Sequence, residues 1–470
     1  MAELNLKDKF NEVKILFDLW MRRSNTPIGR VVVLKSLILS KLIYLWILLP
    51  NPPDDFVKDI QKRCFDFVWD GKRDKIKRSN AIHAIRDGGI NIPDIKAYIR
   101  SLKIKWLSKL TEDSPPKWYS IVLNQCPEIR RFKAFGSEFL LDKFKNPFWK
   151  DVYDAYYSLE RKVNLRTSED LLAEPLFYNH RFKIRNKPFY YHNWAQNQIL
   201  KVKDLIKEDG SFLTLAEFQD EYANASNFLD FYSCIRVIKS FMKENGIELS
   251  GNIRSDNTKT LSLIYQNKRG AKTFYTCLLE KIEKATPCKN WEMKLGKNIN
   301  WNNIFKLINK TKETQLKWFQ LKICYRVIVS NTILKSMGIV DTDVCNFCLT
   351  EKDSVYHYLW QCPHSKDFWT LFLDLLKRKC QNCNRLFLCP ELILFGTRDN
   401  INTDKGFDFI LLHANFFVYK CRLNKTIPNI NMYFKDLTYQ YKIDEYVHKL
   451  EMKSEEFKRK WAAYENIIEH

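Results

Sequence analysis

Apolar side chains along this chain recur three and four residues apart far more often than they alternate, a spacing that predicts helices rather than strands. Leu6, Phe10, Val13, Phe17 and Trp20 mark one face of a helix over residues 6–23, with Lys7, Lys9, Lys14, Arg22 and Arg23 elsewhere. Thr26-Pro27 predicts a second helix that runs to Leu49, where Pro50, Pro52 and Pro53 stop it. A third is expected from about Asp54 to Trp69, with Phe56, Ile60, Cys64, Phe67 and Val68 turned inward. Gly88-Gly89 makes a turn, and Ile92-Pro93-Asp94 leads into a helix reaching about Leu110. Ser114-Pro115-Pro116 then marks a boundary.

Residues 113–300 read as further helices on short loops. A small hairpin is expected around Phe182 to Tyr190, and Asp209-Gly210-Ser211 should separate a helix ending near Lys207 from one starting near Thr214. From Trp301 the helical signal strengthens. One helix over 315–339 carries Trp318, Phe319, Ile323, Tyr325, Val327 and Ile328 and closes at Gly338. Others are expected along the face of Phe368, Leu371, Phe372, Leu375 and Leu376, over the apolar stretch 407–430, and from about Phe434 to Ile468. The expected fold is mostly α: a multi-helix bundle over 1–112, a helical connector over 113–300, and a C-terminal helical domain over 301–470.

One stretch in that order carries chemistry of its own: CNFCLTEKDSVYHYLWQCPHSKDFW, residues 345–369. Cys345 and Cys348 enclose two residues, His357 follows after eight more, and Cys362 after another four. Cys-x2-Cys brings two thiolates to one tight turn, and His-x4-Cys returns an imidazole and a third thiolate. Such a set closes a tetrahedron around one structural Zn²⁺ and leaves no position for substrate water. Asp353 or Ser354 is placed to cap a short helix carrying His357, and Pro363 fits the first turn of the next helix. His364 in place of His357 is the competing ligand set. Cys380, Cys383 and Cys389 invite a second metal site but lack a nearby fourth ligand, so reduced structural thiols suit them better.

Composition changes the picture in one direction. Lysine and arginine outnumber aspartate and glutamate 77 to 55 in 470 residues, an excess of 22 positive charges. In a chain that is 45% hydrophobic and 14% aromatic, and hence built to fold, that excess points to a polyanionic partner, RNA or DNA. The bases concentrate at 71–79, GKRDKIKRS, where Lys72, Arg73, Lys75, Lys77 and Arg78 face only Asp74. A second set, Lys317, Lys322 and Arg326, lies on the aromatic helix before the zinc stretch. Both are candidate phosphate contacts. Thirteen cysteines form an odd number for a disulfide framework, and with no secretory leader a reducing compartment, nucleus or cytoplasm, is expected. The apolar region Ile28 to Leu49 is interrupted by Arg30, Lys35 and Lys41, which excludes a bilayer span. No small-molecule substrate is implied, and oligomeric state is not legible.

Three stretches resemble a known family: WMRRSNTPIGRVVVLKSLILSKLIYLWILLPNPP, CFDFVWDGKRDKIKRS and DGGINIPDIKAYIRSLKIKWLSKL. They are similar to the thumb that follows the palm in LINE-type reverse transcriptases, the second-open-reading-frame proteins of non-LTR retrotransposons. The order of basic aromatic helix, Cys-x2-Cys, His-x4-Cys and a helix opening Asp-Phe-Trp resembles that family's C-terminal segment. The resemblance implies a thumb that holds template and primer. It also implies that Cys345, Cys348, His357 and Cys362 are zinc ligands in a segment contacting RNA and DNA during target-primed reverse transcription. The family's polymerase palm presents an aromatic-x-Asp-Asp turn for two metal ions. Here the one Asp-Asp pair, Asp54-Asp55, follows Pro-Pro at a helix start, where capping and the helix dipole explain it. No enzymatic activity is therefore expected of this chain. A zinc-stabilised protein-interaction module, domesticated or relic, is the other open reading.

Overall fold

The structure, a computed structural model, describes residues 2–23, 25–110, 116–222, 227–249, 256–267, 270–280, 284–380, 386–396 and 405–468. It is mostly α-helical, as the periodicity implied, and it divides into two compact units. One gathers Met1–Leu19, Lys35–Arg63 and Pro93–Glu280; the other gathers Trp20–Leu34, Cys64–Ile92 and Lys281–His470.

In the first unit the helix Ile95–Leu110 lies against Pro147–Glu160. Asp94 caps the former by accepting from Ala97 N at 2.8 Å, and Gln61 Oε1 accepts from Ile95 N at 2.8 Å. Asn146 caps the latter. Ile104, Leu107, Val152 and Leu159 fill the space between them, each buried chain stabilising by roughly 2 kcal/mol. A second cluster, with Phe177, Phe182, Trp194, Phe218 and Ile238, surrounds the expected hairpin. That hairpin is short: Lys183–Ile184 pairs antiparallel with Lys187–Pro188. Arg185 and Asn186 both take positive φ, the twist a two-residue turn between strands requires. Thr214 and Glu217 form a capping box that opens the helix Leu215–Glu221. Before Asp209 there is only a 3-10 turn, Val202–Leu205, because Asp204 folds back onto Leu200 N and Lys201 N at 2.8 Å.

The same unit buries Glu160, Glu174 and Arg181 together. Arg181 Nη1 lies 3.2 Å from Glu174 Oε2 and 4.0 Å from Glu160 Oε1, while His180 Nδ1 sits 3.4 Å from Glu160 Oε2. Two carboxylates thus share one guanidinium. Burial pushes the Glu174 carboxyl up from 4.5 to about 7; Arg181 and the Asn179 amide oppose the rise, and Glu160 and Asp170 add to it. The folded chain therefore keeps a proton that the unfolded chain loses, so stability is full below pH 4.5 and falls as pH climbs through about 7. Glu174→Gln should remove that fall, and at pH 8 the variant should equal or exceed the parent by up to roughly 3 kcal/mol in urea unfolding. A variant less stable than the parent at pH 8 would contradict it.

In the second unit Gly88, at φ +90°, and Gly89 build the expected turn; a Cβ on Gly89 would meet His83 O at 1.9 Å. The Tyr325 hydroxyl donates to Gly88 O, and Phe305 closes over Gly88. Three long helices expected from the pattern are broken, the first of them divided by sequence between the two units. The stretch after Thr26 forms Pro27–Val33, a π turn Leu34–Ile38, and Ser40–Leu48. The 315–339 stretch ends its first helix at Cys324, Arg326 turns to φ +55°, and a short helix Asn331–Ser336 follows before Gly338. Val327-Ile328-Val329, a β-branched run, gives the gap no helical incentive. The last stretch divides at Met452, φ +55°, and again after Trp461, into Ile430–Leu450, Ser454–Trp461 and Glu465–Ile468.

The helix Lys405–Leu423 is the hub of this unit. Phe416 meets Phe319, Phe417 meets Phe368, and Tyr433 donates to Ile410 O at 2.8 Å. Phe368, Phe372 and Leu376 of Pro363–Lys379 are buried as expected, whereas Leu371 is exposed. No single helix among the described residues is long and apolar enough to cross a membrane.

Candidate metal centre and basic cleft

Cys345, Cys348, His357 and Cys362 come together with all four ligand atoms within 4.8 Å of one another. The knuckle begins where Val344 pairs with Lys352 in an isolated antiparallel bridge. Cys345 N donates to Glu351 O at 2.7 Å, and Leu349, at φ +58°, reverses the chain between them. His357 opens a π turn, His357–Gln361, that returns Cys362 N to His357 O at 2.8 Å. Ser354 caps this turn, its Oγ accepting from His357 N at 3.0 Å. Cys362 is the residue before Pro363 at the start of the helix Pro363–Lys379, so its sulfur sits where the helix dipole favours negative charge. His364 is not among the clustered ligands. The group can hold one zinc ion.

The sulfurs are arranged for thiolates. Cys345 Sγ and Cys362 Sγ are 4.0 Å apart, near the roughly 3.8 Å that two sulfurs 2.3 Å from one tetrahedral zinc would show. His357 presents Nε2 to Cys348 Sγ at 3.4 Å. Cys345 is pushed down to about 6, first by a hydrogen bond from the Cys362 thiol and then by the amides of Cys348 and Phe347, against burial. Cys362, which keeps the shared proton, is pushed up. Burial pushes Cys348 up, yet the Thr350 hydroxyl and the amides of Glu351 and Thr350 bring it below its ordinary value. A zinc ion would replace the shared proton as the charge between these sulfurs and supply structural cross-linking.

The knuckle is braced from below. Asp353, fully buried, receives Arg422 Nε at 3.2 Å and Asn331 N at 2.7 Å. The Thr332 hydroxyl donates to Asp353 O, and Asn331 Nδ2 donates to Val344 O at 2.8 Å. Arg422 stacks over Tyr358, one residue past the ligand His357. Asp353 thus serves the brace and Ser354 the cap. Sequence reasoning did not find the brace, although one signal was present: Arg422 follows an apolar run in a helix whose neighbours are core.

Cys380 is buried, and Cys389 caps the helix Pro390–Phe395 by accepting from Leu392 N at 3.4 Å. Cys383 lies outside the described residues.

The basic loop 71–79 is pinned by Ile76, buried at its centre, so that Lys72, Arg73, Lys75, Lys77 and Arg78 face outward. Arg78 pairs with Asp74 at 2.6 Å and covers the Phe65 ring; Lys72 pairs with Asp70 at 3.0 Å. The neighbouring aromatics Phe65, Phe67 and Trp69 are core and so support the loop rather than offer faces for stacking. Beside the loop opens a cleft of about 390 Å³ lined by Arg22, Arg23, Arg30, Lys72, Lys75 and Trp318, among others. Arg30, buried, donates to Phe67 O at 2.8 Å and Asp70 Oδ1 at 2.7 Å and fixes the wall. Lys322 rests over Tyr419 at 4.9 Å, and burial, with Lys75 adding, pushes it down to about 8. Lys317 is half-buried on the same helix as Trp318. Arg326 turns away to stack on Trp291. The chain folding therefore gathers Lys72 and Lys75 with Arg22, Arg23 and Arg30, which sequence spacing did not group.

No protein-family model matches the chain. Over 192 residues it is 26% identical to a Xenopus laevis protein described as "Transposon TX1 uncharacterized 149 kDa protein", a match that takes in 38% of this chain and 14% of that protein. The chain spans a small part of that relative's length, and it is to a transposon-encoded protein that it is similar.

Proposed function

We propose that this chain is the nucleic-acid-binding, C-terminal portion of a LINE-type retrotransposon reverse transcriptase. Its parts are a thumb-like region over 1–112, a helical connector over 113–300 and a zinc-bearing domain over 301–470. The zinc is structural, and the chain by itself copies nothing. Within the intact protein it would hold RNA and DNA during target-primed reverse transcription. The observation that carries this reading is the cleft where Arg22, Arg23, Lys72 and Lys75 converge from separate stretches of sequence. Four cations lining one cleft suit a phosphate backbone, and the similarity to a transposon protein supports the same reading.

The test is the affinity of the zinc-loaded chain for a labelled single-stranded RNA, measured by anisotropy between 50 and 200 mM salt (about that range spans the useful slope). Affinity should fall linearly with log salt. Neutralising Lys72, Arg73, Lys75, Lys77 and Arg78 should lessen the slope by about 0.7 for each phosphate that no longer meets a cation. Arg22→Gln with Arg23→Gln should act likewise. An unchanged slope in both variants would remove the cleft from the interface. Absence of binding at low salt would leave the zinc-stabilised protein-interaction module.

A further inference from the structure

The helix Ile430–Leu450 keeps an apolar seam in solvent. Met432, Tyr439 and Tyr446 follow one another at intervals of seven, and Ile443 and Leu450 fill the alternate positions of the same repeat. They are 64%, 63%, 64%, 41% and 67% exposed, respectively. On a helix these residues fall within an arc on the order of 100°. The helix does not need this seam to stay folded, because a different face anchors it. Tyr433, Leu437 and His448 are buried, and Asp444 takes Lys460 at 2.9 Å and Trp461 Nε1 at 2.8 Å. Asp436, at the remaining seam position, is drawn to Lys420 at 2.8 Å.

We infer that this seam docks a helix from an acidic partner protein, in the manner of a two-stranded coiled coil. The charge beside the seam selects the occupant. Lys435, Lys442 and Lys449 form an exposed row along one edge, one per heptad, in the position that faces the partner's flank. Lys449 also touches Glu445 at 2.8 Å on its own helix. A second copy running antiparallel would set this lysine row against itself. Running parallel, it would set the lysines against Gln440 and Val447, which offer no countercharge. A helix with glutamates at the facing positions completes three ion pairs and buries both seams. A lipid surface suits the feature less well, since the seam is narrow and carries Asp436 in its line.

The experiment uses the full zinc-loaded chain and three labelled four-heptad peptides. The first has leucine at the seam and glutamate at the flanks. The second has the same composition with the leucines scrambled off the seam. The third has lysine flanks. The first should bind at least about tenfold tighter than either control, a difference of about 1.4 kcal/mol. Ile443→Gln with Tyr446→Gln, both exposed and so expected to leave the circular dichroism unchanged, should erase the preference. Equal binding of the first two peptides would mean that charge alone acts, and equal binding of the first and third would mean that the lysine row selects nothing. Either overturns the proposal. It is also overturned if sedimentation shows dimers, or phosphatidylserine vesicles show binding, that the double variant abolishes.

Discussion

Stripping zinc with a strong chelator, or replacing Cys345 and Cys348 by serine, should melt residues around 340–376. Without metal, three sulfurs within 4.8 Å of one another must hold a proton among them to limit repulsion. Structural zinc contributes on the order of 10 kcal/mol to small domains of this kind, more than the other interactions of so short a segment can replace. Hydrogen exchange should show reduced protection over the knuckle and the first turns of Pro363–Lys379. Protection that survives chelation would mean the site is held by packing alone. Metal analysis should return one zinc per chain; two would bring Cys380, Cys383 and Cys389 back as ligands.

Asp353→Ala should cost about 3–5 kcal/mol, the loss expected when a buried ion pair is left with one member. Arg422, a residue only 3% exposed, would keep its charge with its countercharge gone, and Asn331 N would lose its acceptor. The double replacement Asp353→Ala with Arg422→Met should recover a large part of the loss, because no charge is then stranded. Urea unfolding of the two singles and the double gives the coupling. If the double is as unstable as the sum of the singles, the pair does not act as a unit. Zinc affinity should fall with Asp353→Ala as well, since the residue fixes the strand entering Cys345.

The cluster of Cys345, Cys348, His357 and Cys362 was legible because its geometry is local. Two cysteines on one turn, and a histidine and a cysteine on another, can be read from spacing, and it is His357, not His364, that clusters with the cysteines. The helix Asp54–Trp69 was legible for a similar reason: prolines before it, acids at its start and an apolar stripe along it. What escaped were breaks that only the surrounding fold can impose. Arg326 and Met452 take positive φ without being glycine, and nothing in their types announces it. The π turn at Leu34–Ile38 interrupts a run that is apolar on both sides. The basic cleft escaped because Arg22, Arg23 and Arg30 are separated from Lys72 and Lys75 by some forty residues or more. The count of charges singles out the loop but not the arginines that line the cleft with it.

The brace beneath the knuckle sets the size of anything that can be transplanted. A synthetic peptide spanning 343–363 would carry all four ligands and could load metal. It would lack Asn331, Thr332 and Arg422, which fix Asp353 and the strand leading into Cys345. The smallest portable unit of this centre therefore runs from Asn331 to Arg422, and a graft that stops at the ligands would import the ion without the orientation in which it presents its surface.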